Sequence, residues 1–429
     1  MSQVPLPAGF SQSIRAQFSD GEAMLDAIEN GAPAVGLRVN PSKPAKLPYA
    51  LRPVPWEPYG FYLDDGGARP GKSIEHAAGA FYMQEPSAMA AAPLLAVRPG
   101  ERVLDLCAAP GGKSGQLAAA MRGEGLLVCN EVDSARAAAL AQNLERLGIA
   151  NALVLGMRLD ALAARLPGFF DCILVDAPCS GEGMFRRDPS ARVQWTPQSP
   201  AACAQRQALI LDSAAQLARP GARIVYSTCT FKREENESTV ESFLLRHPRF
   251  RLAEARRILP HTHEGEGHFA ALLVDTQDDP LAQDVLPPPL LSSEERWRGE
   301  WDALAQTLFA SPPGFPALFR SGDLLYAPPP LCPPLEGLRF VRAGLQIAHF
   351  RKNRMEPAHA LAMASNPQDM RLCAELSQEQ ARAYLRGEVV ATQIPRGWAA
   401  ASYRGLPLGW GKASDSLLKN HLPKGLRMW

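Results

Sequence analysis

Two cysteines stand where a thiol has chemistry to do. Cys179 lies in Val175-Asp176-Ala177-Pro178-Cys179-Ser180-Gly181-Glu182-Gly183, and Cys229 in Tyr226-Ser227-Thr228-Cys229-Thr230-Phe231. Each follows a short apolar run, as a residue at the end of a buried strand does. A thiolate attacks an electron-poor ring carbon and is expelled again later. One reaction that needs this is methylation at carbon 5 of a pyrimidine. That carbon takes no methyl group directly, but a thiolate added at carbon 6 makes it enamine-like. A carboxyl group must then hydrogen-bond or protonate the ring nitrogen, and the proton at carbon 5 must leave before the thiolate is released. Asp176 suits the carboxyl role. Which cysteine attacks stays open on position alone.

Such a reaction needs a methyl donor. Leu104-Asp105-Leu106-Cys107-Ala108-Ala109-Pro110-Gly111-Gly112-Lys113-Ser114 reads as a buried strand, a small-residue turn and a helix start. In a doubly wound sheet that corner binds the ligand. A phosphate-binding Walker A loop requires a glycine where Cys107 stands, and the dinucleotide fingerprint lacks its first glycine pair. S-adenosylmethionine has no phosphate to cradle and fits best. The loop Ala108, Ala109, Pro110, Gly111, Gly112, Lys113 and Ser114 would let backbone approach its amino-acid tail and ribose. Glu131, 20 residues after Gly111, is expected at the next strand end, where an acid takes ribose hydroxyls. Arg136 is a further cofactor-binding candidate, and Lys113 a candidate to hold the base or the cofactor's carboxylate.

These residues need a parallel sheet to bring them together. Strands are predicted at 102–106, 126–130, 152–155, 172–176 and 223–227, with helices at 114–121, 134–147 and 202–218 between them. The fold class is therefore α/β, with a Rossmann-like domain over 91–277 after a small α/β accessory region at 1–90. An acidic, proline-rich linker is expected over 278–309 and a basic domain over 310–429. Residues 310–429 hold 15 Lys and Arg against 8 Asp and Glu, and the remainder 30 against 36. A basic C-terminal domain suits a polyanion. Its cationic stretch His349-Phe350-Arg351-Lys352-Asn353-Arg354 and Lys412, Lys419, Lys424 and Arg427 point to backbone contact, while Trp398, Tyr403 and Trp410 suit core or stacking equally. Phe185-Arg186-Arg187-Asp188 through Trp195 reads as a further RNA contact, while Lys232 and Arg233, just past Cys229, read equally as charges that lower a thiol's pKa and as solvated residues.

Of the 429 residues, 46% are hydrophobic and 21% charged, which excludes a disordered chain, a coiled coil and a fibre. No apolar run spans a bilayer and no signal peptide opens the chain, so a cytoplasmic, membrane-free protein is expected. The eight cysteines include no C-x-x-C pair, so reduced thiols are expected. Cys107, Cys129, Cys172 and Cys203 read as core. His261, His263, Glu264, Glu266 and His268 read as a loop rather than a metal site, and no metal is expected.

Asp-Ala-Pro-Cys-Ser-Gly at 176–181, Ser-Thr-Cys-Thr at 227–230 and Ala-Ala-Pro-Gly-Gly-Lys-Ser at 108–114 closely resemble the Sun/Nop family of RNA cytosine-5 methyltransferases. So do Gln84-Glu85-Pro86-Ser87, Arg206-Gln207, Pro260-His261 and Gly265-Glu266-Gly267-His268-Phe269. Gly409-Trp410-Gly411-Lys412 and the tail from Leu418 to Arg427 are similar to the RsmF-like bacterial members. Those members methylate small-subunit ribosomal RNA and carry a PUA-like C-terminal domain. The resemblance implies a class I methyltransferase domain, a PUA-like mixed α/β domain, and Cys229 as nucleophile with Cys179 releasing product. It implies that S-adenosylmethionine is held by the 108–114 loop, Glu131, an acid near the third strand, and Asp176. In that third segment Arg158 stands where many members carry the acid, which leaves Asp160 as the candidate. The expected partner is RNA, either small-subunit ribosomal RNA or the 30S subunit, bound by a monomer without DNA. Transfer RNA is the alternative substrate, and a non-catalytic ribosome-assembly factor the alternative class.

Overall fold

Near-continuous apolar runs make strands that are buried on both faces. The computed structural model describes residues 4–64, 69–277, 295–352 and 354–428. The expected strands form as β1 (Arg102–Asp105), β2 (Leu126–Asn130), β3 (Ala152–Leu155), β4 (Phe170–Asp176) and β5 (Ala218–Thr228). β6 (Phe250–Ile258), β7 (His268–Asp275) and β8 (Phe340–Ala343) complete one eight-stranded sheet in the order β6-β7-β5-β4-β1-β2-β3-β8. β1 to β5 are parallel, and β6, β7 and β8 each pair antiparallel. The strand order reverses at β1, so ligands belong beyond the C-terminal ends of β1, β2 and β4.

Alternate residues of each strand feed two apolar layers. Leu104, Val128, Leu153, Ile173 and Ile224 pack with Leu211 and Ala214 of the helix Ser199–Leu217. Val103, Leu127, Val154, Leu174 and Val225 pack with Leu117, Leu140 and Leu144 of the helices Gly112–Met121 and Ser134–Leu147. Cys129 and Cys172 are fully buried in this second layer.

The N-terminal segment makes a four-stranded antiparallel sheet from Gly36–Val39, Leu51–Pro53, Gly60–Leu63 and Phe81–Met83. Its helices Phe10–Gln17 and Gly21–Asn30 pack through Phe10, Ile14, Met24 and Ile28 against Phe185, Trp195 and Phe231. Phe185, Arg186, Arg192 and Trp195 are therefore committed to an internal seam, while Arg187 stays exposed. Arg186 pairs with buried Glu266 at 2.8 Å, and the Arg192 Nε donates to the Phe185 carbonyl at 2.7 Å.

The expected linker at 278–309 needs correction. Residues 278–294 lie outside the described residues, but Arg298–Leu308 is a helix. It buries Trp301, Ala305 and Leu308 with Leu325, Ile347, Leu361 and Trp410, because its apolar residues recur at helical spacing. Beyond it stand two sheets that share this core. One is four-stranded, from Phe319–Ser321 to Arg354–Pro357, and the other five-stranded, from Cys373–Glu375 to Leu417–Asn420. Between the strands of the first, β8 leaves to join the central sheet, with Gly156 N–H donating to the Arg339 carbonyl at 2.8 Å. Tyr403 and Trp410 are core, and Trp398 is half-buried.

Candidate functional site

β4 and β5 run parallel in a register that sets Asp176 beside Ser227. The loops that follow them leave the sheet together, and Cys179 Sγ comes to 3.3 Å from Cys229 Sγ. Gly183 permits this approach. Its N–H donates to the Cys229 carbonyl at 2.8 Å, and a Cβ there would stand 2.8 Å from that same oxygen.

Buried Glu235 fastens the two loops. It accepts from Ser180 N–H and from the Gln207 amide, each at 2.9 Å, and from the Ser180 hydroxyl, which also meets the Thr230 hydroxyl at 2.8 Å. Gln207 also donates to the Pro178 carbonyl at 3.0 Å. Asn236 completes the clamp, donating to the Thr230 carbonyl at 3.0 Å. Hydrogen bonds in a low-dielectric interior are stronger than in water, and these join the two loops through Glu235 and Asn236.

Asp176 carries the charge of the site. Its carboxylate accepts from Lys113 Nζ at 2.8 Å and from the Ser227 hydroxyl at 2.8 Å. Burial alone would push this carboxyl up, but the Lys113 ammonium and these hydrogen bonds hold it below the usual carboxylate range. Burial would likewise lower Lys113, yet the Asp176 charge, and after it Cys229, keep the ammonium above its ordinary value. Lys113 thus faces both the carboxylate and one thiol. His268 Nε2 lies 3.8 Å from Asp176, and burial, followed by the Lys113 charge, lowers it to about 3, so the ring is neutral. The Cys179 thiol is pushed well up, first by its hydrogen bond with Cys229 and then by burial.

Lys232 and Arg233 do not reach the thiols. Lys232 turns to Ser13, to buried Glu182 at 3.6 Å and to the face of Trp195, while Arg233 pairs with Glu241 at 3.6 Å.

A cavity of 760 Å³ opens beside this cluster, lined by Cys107, Ala109, Glu131, Asp176, Cys179 and Cys229, among others. That volume lies within the roughly 300–1,000 Å³ typical of ligand sites. Gly111 keeps the loop tight, with φ +107° and Leu140 Cδ1 3.0 Å from where a Cβ would stand. Glu131 is buried at the end of β2, with Arg136 Nη1 3.3 Å from its carboxylate and Arg136 Nη2 donating to the Ala109 carbonyl at 3.0 Å. Ser114 sits behind the loop, fully buried, its hydroxyl donating to Asp105 at 2.7 Å. Burial pushes the Asp105 carboxyl up to about 7 against that hydrogen bond.

Asp160 is not brought to the cavity, which corrects the expectation for the third strand. Its side chain is 68% exposed and closes on Arg158 at 3.0 Å. At that edge the cavity is lined instead by Leu159, with Val132 and Asp133 from the end of β2. The five polar residues around His261 also separate. His261 meets Asp20 at 2.6 Å, Glu264 meets Arg52 at 2.7 Å, and Glu266 holds Arg186.

Residues 92–274 match the family described as 16S rRNA methyltransferase RsmB/F. Residues 6–86, 301–364 and 371–428 match the RsmF N-terminal domain, first C-terminal domain and PUA domain. The chain is 32% identical to ribosomal RNA small subunit methyltransferase F of Cronobacter sakazakii, over 99% of this chain and 96% of that one. The chain belongs to the RsmF family of 16S ribosomal RNA methyltransferases. A second RsmF-family relative, from Klebsiella pneumoniae, is 36% identical over 88% of this chain and 85% of its own. Among solved structures, a methyltransferase homologue from Pyrococcus horikoshii is 30% identical with a TM-score of 0.53, covering 60% of this chain and 90% of that one. NSun6 from the same organism, solved with SFG, shares the fold at TM-score 0.58 and 20% identity, over 63% and 99% of the two chains.

Membership makes this an S-adenosylmethionine-dependent methyltransferase of Rossmann-like fold with a PUA domain at 371–428. The cavity fits that cofactor. It offers Glu131 for ribose hydroxyls, the apolar walls Val132, Leu159 and Ile210 for a flat base, and the acids Glu131 and Asp176 toward a sulfonium charge. Val132, Arg206 and Ile210 line it without any sequence signal that marks them for a ligand, although Arg206 stands in a segment shared with the family. Glu131→Ala is expected to weaken S-adenosylmethionine binding at least about tenfold, since hydrogen bonds to charged groups contribute about 1.5–3 kcal/mol. Asp160→Ala should leave it within about twofold of wild type, given exposed ion pairs worth roughly 0–1 kcal/mol. Calorimetric titration of both variants separates the two acids.

Proposed function

We propose that this protein transfers the methyl group of S-adenosylmethionine to carbon 5 of a cytosine in 16S ribosomal RNA through a covalent adduct between Cys229 and carbon 6. The observation that carries the reading is the pair of thiols at 3.3 Å in one cavity with Asp176, which is ion-paired to Lys113 of the cofactor loop. When bound, S-adenosylmethionine supplies an electrophilic methyl group.

Cys229 attacks as the thiolate. Its charge is supported by the Lys113 ammonium and by the hydrogen bond that its sulfur shares with Cys179 Sγ at 3.3 Å. As the sulfur bonds to carbon 6, electrons move toward ring nitrogen 3. Asp176, ionised, accepts from the exocyclic amino group, and the Lys113 ammonium gives a proton to the nitrogen where charge collects, to be returned at the end. Carbon 5 then takes the methyl group. Once Cys229 is bonded to carbon it carries no charge, and its hold on the Cys179 proton is lost. Cys179 gives that proton to solvent and takes the one at carbon 5. The pair left behind reforms the ring double bond, the carbon–sulfur bond breaks, and the Cys229 thiolate returns. Nitrogen 3 gives back its proton, so one methyl group is gained and one proton released. The base must be out of any helix for thiol and donor to reach it together.

The test is nucleoside analysis of 16S ribosomal RNA and 30S subunits from cells lacking the gene, after incubation with enzyme and labelled cofactor. Label in 5-methylcytidine supports the reading. Label in any other nucleoside, or in transfer RNA alone, contradicts it.

A further inference from the structure

Three aromatic rings of the C-terminal region pack against its core and also line an open cavity. Trp301, Phe309 and Trp410 are buried there, whereas Trp297, Phe350 and Trp398 stay partly exposed around one open cavity of 920 Å³. The Trp297 and Phe350 rings lie 4.8 Å apart, and the Arg320 guanidinium stands 4.0 Å from the Phe350 centroid and 4.4 Å from that of Trp297. Lys412 lies over Trp398 at 5.6 Å. Lys352 and Arg354 are exposed at the rim, where Arg354 also meets Glu356 at 2.5 Å, and Glu300 and Asp323 share the lining.

We propose that this cavity is a second RNA site, which stacks unpaired nucleobases of the substrate and holds the phosphates between them. Every base has a π face, so aromatic rings and guanidinium planes bind single strands with little regard to sequence. Bases in a duplex are already stacked and offer no such face. The choice of RNA over a protein partner follows from the excess of 15 basic over 8 acidic residues in 310–429 and from the rim cations. It rests on the RNA substrate proposed above. The site lies outside the PUA match except for Trp398 and Lys412, and it is tied to the catalytic sheet. β8 pairs with β3, and buried Arg342 donates to the Gly344 carbonyl at 2.7 Å and to that of Ile149. RNA held here is therefore held relative to the thiols, and the site contributes to RNA affinity without touching the chemistry.

The test uses the full chain and a short, unstructured, fluorescein-labelled RNA, with its duplex as control. Trp297→Ala and Phe350→Ala should each weaken single-strand binding about tenfold, with an unchanged salt slope. Lys352→Gln should reduce the slope of log affinity against log salt by about 0.7. Wild-type affinity for S-adenosylmethionine checks that each variant is folded. In methyl transfer, KM for RNA should rise while kcat holds. Aromatic variants that bind within twofold of wild type overturn the proposal and hand the surface to a protein partner. Duplex binding as tight as single-strand binding also overturns it. Should wild type bind RNA through these residues yet methylate none, this site stands and the catalytic reading falls.

Discussion

Cys229→Ala is expected to abolish methyl transfer, lowering kcat/KM at least about 10⁴-fold, as loss of a covalent nucleophile does. S-adenosylmethionine binding should persist. The variant removes one sulfur from a loop held by other groups. Glu235 and Asn236 anchor its neighbours, and Gly183 N–H bonds to the Cys229 backbone carbonyl rather than to its side chain. The loss is therefore chemical, because carbon 5 has no route to nucleophilicity without addition at carbon 6. Single-turnover assays on 16S ribosomal RNA with calorimetric cofactor binding separate the two effects. Residual 5-methylcytidine at more than a hundredth of the wild-type rate would remove Cys229 from its role.

The second large effect is expected at the ion pair. Asp176→Asn should lower kcat by about 10²–10³, the range found when a donor or acceptor aimed at developing charge is lost. The amide cannot hold the Lys113 ammonium as a carboxylate does. Lys113→Met should be equally slow, and it tests the electrostatics through pH. Burial raises the Asp176 carboxyl and Lys113 offsets this, so the folded carboxyl titrates below its unfolded value. The stability it contributes is present above the unfolded pKa and is lost as pH falls through the folded one. Without the ammonium, burial is less opposed and the carboxyl rises. The acid limb of the rate profile in Lys113→Met should therefore move to higher pH. An unmoved limb would show that Lys113 does not set the charge of Asp176.

Much of the catalytic half is legible in the residues because its determinants are local. Apolar runs of strand length are flanked by small-residue loops, and helical spacing fixes the covering layers. β2, β3 and the helix Ser134–Leu147 form where those patterns end. Convergence of Asp176, Cys179 and Cys229 follows from parallel strand ends alone. Their order of action does not, since each thiol follows a similar strand. The contact that couples the two sulfurs, at 3.3 Å and fifty residues apart in sequence, leaves no local signal in either motif. Arg186, Arg192 and Trp195 look like nucleic-acid contacts by type, yet Glu266 and two N-terminal helices bury them. Asp160 fails for a local reason, because Arg158 captures it two residues away. Glu235 escapes notice because its work is to accept from Ser180 and Gln207, whose spacing in sequence carries no periodic signal. The 295–309 stretch reads as linker by charge, although Trp301, Ala305 and Leu308 already carry helical spacing.

The division of labour between the two thiols is the central claim, and Cys179→Ala tests it most directly. This variant, incubated with S-adenosylmethionine and 16S ribosomal RNA, is run on a denaturing gel, and the RNA-linked peptide is identified by mass spectrometry. A stable protein–RNA adduct at Cys229 is expected, its base already carrying the methyl group, since elimination alone is blocked. No adduct with normal turnover, or an adduct at any other residue, would contradict it.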